Sequence, residues 1–194
     1  MIYEWLIILL LSIVFIVIFI NFFNENVTYV VSDIDNNSYL VRNVDDKQLA
    51  ANMLAKIKEN IEMITNHLYK NINNYPDYVP YIIQLHKRIK NVIIVESSEN
   101  SVYTSYSINK GEQIVFCLRS KLIKNSLHDM NLIMYVVLHE ISHVACPTIG
   151  HDDTFKKIFA FITNIAIELN LYKKINFKEN PLEYCGLTIT DSII

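Results

Sequence analysis

The stretch "LHEISHVACPTIGHDDTF", Leu138 to Phe155, constrains this chain more than any other. His139 and His143 stand one helical turn apart, so on a helix both imidazoles project from one face. That is the placement two ligands of one metal ion need. Glu140 follows the first of them, beside such an ion without having to bind it, where a general base for a water molecule would stand. Pro147 then stops the helix, and Gly150 is free to take a left-handed conformation directly before His151. The chain can therefore turn back and offer His151 as a third ligand. Asp152 or Asp153 caps the helix that follows.

Imidazole donors suit zinc. A catalytic zinc site keeps three protein ligands and an open position, and the ion lowers the pKa of a water there toward ~7. Glu140 is placed to accept that proton and pass it to a leaving amine. Other readings of the same residues stay open. Structural zinc sites close with four N or S ligands, and Cys146 stands near enough in sequence to be the fourth. A membrane-anchored structural or interaction protein could keep the metal without turnover. A hydrolase of a non-peptide bond would use the same water activation. Tyr184, in "EYCG", is a candidate donor to the developing oxyanion; the alternative is a tyrosine that only packs. The run "YTSYSI" is either an edge strand along which an extended peptide lies or an ordinary strand.

The N-terminus reads differently. "WLIILLLSIVFIVIFINFF", Trp5 to Phe23, carries no charge and is long enough to cross a hydrocarbon core of ~30 Å as a helix. It lacks the basic start and small-residue cleavage site of a signal peptide, so an uncleaved anchor over residues 1–24 is expected. Its orientation is left open: Arg42 and Lys47 lean toward a cytoplasmic C-terminal domain, while Asn26 and Asn36 head glycosylation sequons.

Residues 25–46 read as two β-rich runs around a turn, a hairpin or a stalk. A third segment, 47–194, forms the remaining domain. Its first helix is expected to bury Leu49, Met53, Ile57, Ile61, Ile64 and Leu68, with Asp45 or Asp46 as its cap. A second helix spans Tyr81–Ile89. Strands are expected at Val92–Ser97, Val102–Ile108 and Gln113–Ser120, with "NKGE" as a turn. Helices follow at Leu127–Cys146, capped by Asp129, and at Thr154–Tyr172, and the tail looks irregular. The fold class is α+β, a zincin-like domain with a small antiparallel or mixed sheet and the "HEISH" helix, preceded by the anchor. His67 and His86 each stand alone, as surface or core-edge residues, and His128 reads as a surface residue.

The net charge of −3 and the absence of any basic block argue against direct nucleic-acid binding. The expected partners are a protein or peptide substrate and, through the anchor, membrane lipid. Cys117, Cys146 and Cys185 are an odd, widely spaced set, which reads as no disulfide framework; Cys117 reads as a small buried hydrophobe.

"HEISH…GHDDTF" resembles the WLM and SprT-like zinc metallopeptidases, in which H-E-x-x-H is followed by a short loop, a Gly or Pro, a third His and an aromatic residue. The resemblance implies zinc held by His139, His143 and His151, Glu140 as base, and Phe155 as a packing residue. The segments "VRNVDDKQLAANMLAKI", "YTSYSINKGEQIVFCLRSK", "HDMNLIMYVVLHEISHVACPTIGH" and "NPLEYCGLTITDS" resemble WLM-like proteins of large DNA viruses across Tyr39 to Ile194. Enzymes of this kind often act on proteins crosslinked to DNA. An anchor and the lack of a basic tail set this chain apart from that setting.

Overall fold

The computed structural model describes residues 2–24, 27–123 and 126–193, with side chains from residue 5 to 18 in the first of these stretches. The apolar N-terminal run forms α1, Ile2–Asn24. All side chains from Trp5 to Ile18 are exposed. At ~1.5 Å per residue that stretch is only about 20 Å long, against ~30 Å for a hydrocarbon core. Among the described residues no helix is long and apolar enough to cross a membrane. The side chains of the rest of the expected anchor, Asn21 and Phe23 among them, lie outside what is described, as does Asn26 of the first sequon.

A hairpin follows: β1, Val27–Val31, pairs antiparallel with β2, Ser38–Arg42. The hairpin is part of the packed domain, because Tyr39 and Val41 are buried in its core. The turn between them uses Asn36 in a left-handed conformation, φ 57°, which asparagine tolerates better than most residues. The long helix α2, Lys47–Lys70, lies against this hairpin. It buries Ile57, Ile61, Ile64 and Leu68, as the periodicity requires. Leu49 is an exception at 60% exposure; at the start of the helix the small Ala50 and Ala51 face inward instead. Asp46 occupies the N-cap position but caps nothing with its side chain, which is engaged by Arg119.

Two short 3₁₀ turns, Ile72–Asn74 and Pro76–Tyr78, lead into α3, Val79–Ile89, with Pro80 tolerated in its first turn. Then comes a mixed sheet of three strands. β3, Ile93–Glu96, pairs parallel with β5, Gln113–Phe116, and β4, Tyr106–Ile108, pairs antiparallel with β5. The order β3-β5-β4 leaves β4 at an edge. All three strands are shorter than the sequence suggested. For β4 the reason is local: the Ser101 hydroxyl accepts from the Tyr103 amide and donates to its carbonyl, a turn that competes with the ladder.

α4, Met130–Ala145, is capped by Asp129, whose carboxylate accepts from the Asn131 and Leu132 amides. α5, Asp153–Glu168, packs against it and is capped by Asp152, which accepts from the Phe155 amide. The tail is more regular than expected, forming a hairpin of β6, Leu182–Tyr184, and β7, Leu187–Ile189. Cys117 and Cys185 are joined in a disulfide across 68 residues, with Cα atoms 6.3 Å apart. This corrects the reading of Cys117 as a lone hydrophobe: the tail brings its partner from a distance no local pattern records. His128 is also corrected. It is 8% exposed and accepts a hydrogen bond from the Cys185 amide at 3.2 Å. His67 and His86 are half-buried, and His86 stacks on Tyr69 with ring centroids 3.8 Å apart.

One buried ion pair ties these parts together. Arg119, 1% exposed, donates to Glu96 and to Asp46, each at 2.7 Å. The second Glu96 oxygen accepts from the Arg42 amide at 2.7 Å.

Candidate metal centre

α4 delivers His139 and His143 on one face, and the turn after Ala145 returns the chain to deliver His151. The three Nε2 atoms lie 3.1 Å from one another. A neutral imidazole nitrogen either carries a proton or offers a lone pair. Among three such atoms two must be alike, so the three short contacts cannot all be hydrogen bonds. A single cation facing three lone pairs satisfies them together. Donors ~2.0–2.1 Å from one ion in a tetrahedral arrangement stand roughly 3.3 Å apart, close to the spacing seen. The donor set therefore fits a metal, and among the described residues these three histidines form the group able to hold one.

Burial lowers the His139 pKa to about 3, aided by the neighbouring His143 and His151, and that of His143 to about 4, aided by His151 and Lys110. Both rings thus keep their lone pairs through neutral pH. Phe155 of α5 lies against all three, stacked on His143 with centroids 4.2 Å apart. Glu140 points from α4 into buried surroundings, and burial raises its carboxyl to about 7. Cys146 is also buried, but its thiol contacts the Thr148 hydroxyl at 3.0 Å and is not in the histidine group.

The histidines and Glu140 open onto a cavity of about 670 Å³. One wall is the edge strand region Thr104–Ser107; another is Tyr135 and Val136 of α4; the tail hairpin contributes Tyr184, Leu187 and Ile189. Tyr184 is therefore brought to the same cavity as Glu140. Its hydroxyl is 2.6 Å from that of Ser105, which also accepts from the Cys117 amide at 3.0 Å. Burial pushes the Tyr184 phenol well up, so it is a proton donor at neutral pH.

The helix end that launches the turn is held by side chains the sequence did not single out. Gln84 and Arg88 of α3 donate to the Val144 carbonyl at 3.1 and 2.9 Å, and Gln84 also to that of Ala145 at 2.9 Å. Lys110 donates to the carbonyls of Cys146, Pro147 and Thr148 at 3.0, 2.6 and 3.0 Å. Lys110 lies in "NKGE", which carried the signal of a turn but none of what its lysine would bind. Ser105 likewise carried no signal beyond strand membership.

Fold and site together define an α+β domain with a candidate three-histidine metal centre beside a buried carboxylate. No family model matches the chain. An uncharacterised protein of Acanthamoeba polyphaga mimivirus is 43% identical over 187 residues, covering 96% of this chain and 94% of that one. The chain belongs to the same protein family as that mimivirus protein. Uncharacterised proteins of Invertebrate iridescent virus 3 and Invertebrate iridescent virus 6 are 37% and 39% identical over 98 and 69 residues, covering 50% and 35% of this chain and 55% and 38% of theirs. Among solved structures, Wss1 from Saccharomyces cerevisiae and a mutant of it are each 18% identical with a TM-score of 0.48, a distant likeness covering 66% of this chain and 86% and 88% of theirs.

Proposed function

We propose that this protein is a zinc-dependent peptidase in which His139, His143 and His151 hold the metal and Glu140 is the general base. The observation that carries the reading is the convergence of three Nε2 atoms at 3.1 Å on a cavity that also receives a buried carboxylate. The bound zinc would polarise a scissile carbonyl and lower the pKa of a water molecule. Glu140 takes the proton from the attacking water and returns it to the leaving amine. Tyr184 donates to the oxyanion as it develops, with Ser105 holding its hydroxyl in place. Among the described residues β4 has an unpaired edge along the cavity, and a substrate backbone adds to it as a further strand. In the purified full chain, one zinc per molecule and cleavage of an unfolded protein that a chelator abolishes and added zinc restores are the expected results. Protein that takes up no zinc with its histidines intact would exclude the reading.

Membrane anchoring through α1 is part of the same proposal. It is supported by the uncharged sequence Trp5–Phe23 and by the exposure of every side chain from Trp5 to Ile18. The substrate is then a polypeptide presented at a membrane.

A further inference from the structure

We propose that Lys110 is a positioning residue for the third metal ligand, holding the loop that carries His151 in the geometry the other two histidines require. The inference rests on reading the histidines as a zinc site. His139 and His143 are fixed by a buried helix, but His151 is exposed and lies at the end of the loop 146–151 that joins α4 to α5. Beyond the buried Cys146, that loop has little packing of its own, its residues 147–150 being exposed. Ile149 is 91% exposed, and a Cβ placed on Gly150 would meet nothing within 4 Å. At its far end Asp152 caps α5. At its near end the loop is held through its backbone by Lys110.

The chemistry of that hold is specific. The chain just past a helix C-terminus offers carbonyls with no intrahelical partner, beside the partial negative charge of the helix end. An ammonium has three donors and no acceptor, and Lys110 directs its Nζ at three successive carbonyls, of Cys146, Pro147 and Thr148. Its own backbone is placed for this. Asn109, Lys110 and Gly111 are all left-handed, with φ of 48°, 52° and 111°, a costly run outside glycine. The turn presses on α4 so closely that a Cβ on Gly111 would come 2.9 Å from Val144 Cγ1. Arg88 and Gln84 reach only the carbonyls of Val144 and Ala145, so Lys110 alone among these three donors acts on the loop itself.

The test is zinc affinity, measured on the full chain by competition with a chromophoric chelator. Groups that orient metal ligands from outside are worth ~10–100-fold in affinity when removed, and a loss in that range is expected for Lys110→Met, with partial recovery in Lys110→Arg. The metal-free melting temperature of Lys110→Met is expected to stay near that of the wild type. Zinc binding by Lys110→Met within twofold of wild type overturns the proposal. So does a lowered metal-free melting temperature with unchanged affinity, the mark of a merely structural lysine. Should Lys110→Met fail to fold, Lys110→Gln takes its place, with at least a fivefold loss expected and parity counting against the proposal. Wild-type protein that binds no zinc would instead sink the metal site, a result distinct from any of these.

Discussion

Glu140→Gln is expected to keep one zinc per chain and to lose peptide cleavage by ~10²–10⁴-fold, the usual worth of a positioned acid–base group. Gln preserves the shape of the side chain and removes only its charge. The same substitution is expected to stabilise the metal-free protein, and the sign follows from burial. The folded carboxyl is raised to about 7 from an ordinary 4.5. Glu140 therefore favours folding fully below pH 4.5, and that contribution is lost as pH rises through about 7. Above that, the folded chain carries a buried carboxylate. Gln carries no such charge at any pH, so its advantage is nil below pH 4.5 and on the order of 3 kcal/mol at pH 8. Denaturant unfolding of the two chelator-treated proteins across that range checks the stability half; a peptide-cleavage assay checks the other. Wild-type turnover in the variant would remove Glu140 from the chemistry, and a loss of zinc would mean it helps to hold the ion.

Opening the Cys117–Cys185 disulfide should have the second large effect. The bond closes a loop of 68 residues, for which chain entropy alone predicts a loss of about 4 kcal/mol. It also tethers β6–β7, a two-stranded hairpin that among the described residues pairs with no other strand and is marginal by itself. Cys185→Ser and thiol-reduced wild type are expected to unfold at the same, much lower, denaturant concentration. A wild-type midpoint unmoved by reductant would show that the two sulfurs are not joined in the folded protein. Because Tyr184 precedes Cys185, loss of the tether should also lower cleavage in protein that remains folded.

The parts of the fold that were legible in the sequence are those set by local spacing. The two histidines of α4 share a face because of their separation, and the Pro and Gly after them announce the turn that His151 needs. Asp129 declared itself as a cap by standing just ahead of an apolar periodic run, while the second cap could be narrowed only to Asp152 or Asp153, of which Asp152 holds the position. What was not legible depends on groups that meet from far apart. Nothing around His128 shows that the Cys185 amide will bond to it, and nothing around Cys117 shows that the tail will return. Leu49 fits the period of α2, yet among the described residues its side chain is left exposed at that end of the helix. Lys110 illustrates the limit best: its sequence context describes the turn it sits in, while its ammonium bonds to carbonyls 36 to 38 positions away.

The Arg119 ion pair decides what can be cut from this molecule. Asp46 stands immediately before α2, and the Arg42 amide that serves Glu96 belongs to β2. A fragment begun at Lys47 would keep every metal ligand and still strip two buried charges of groups that offset them. Removing one partner of such a pair is far more damaging than never having built it. The shortest piece able to carry the histidine site into another protein therefore starts at β1, and the hairpin travels with the site as part of its foundation.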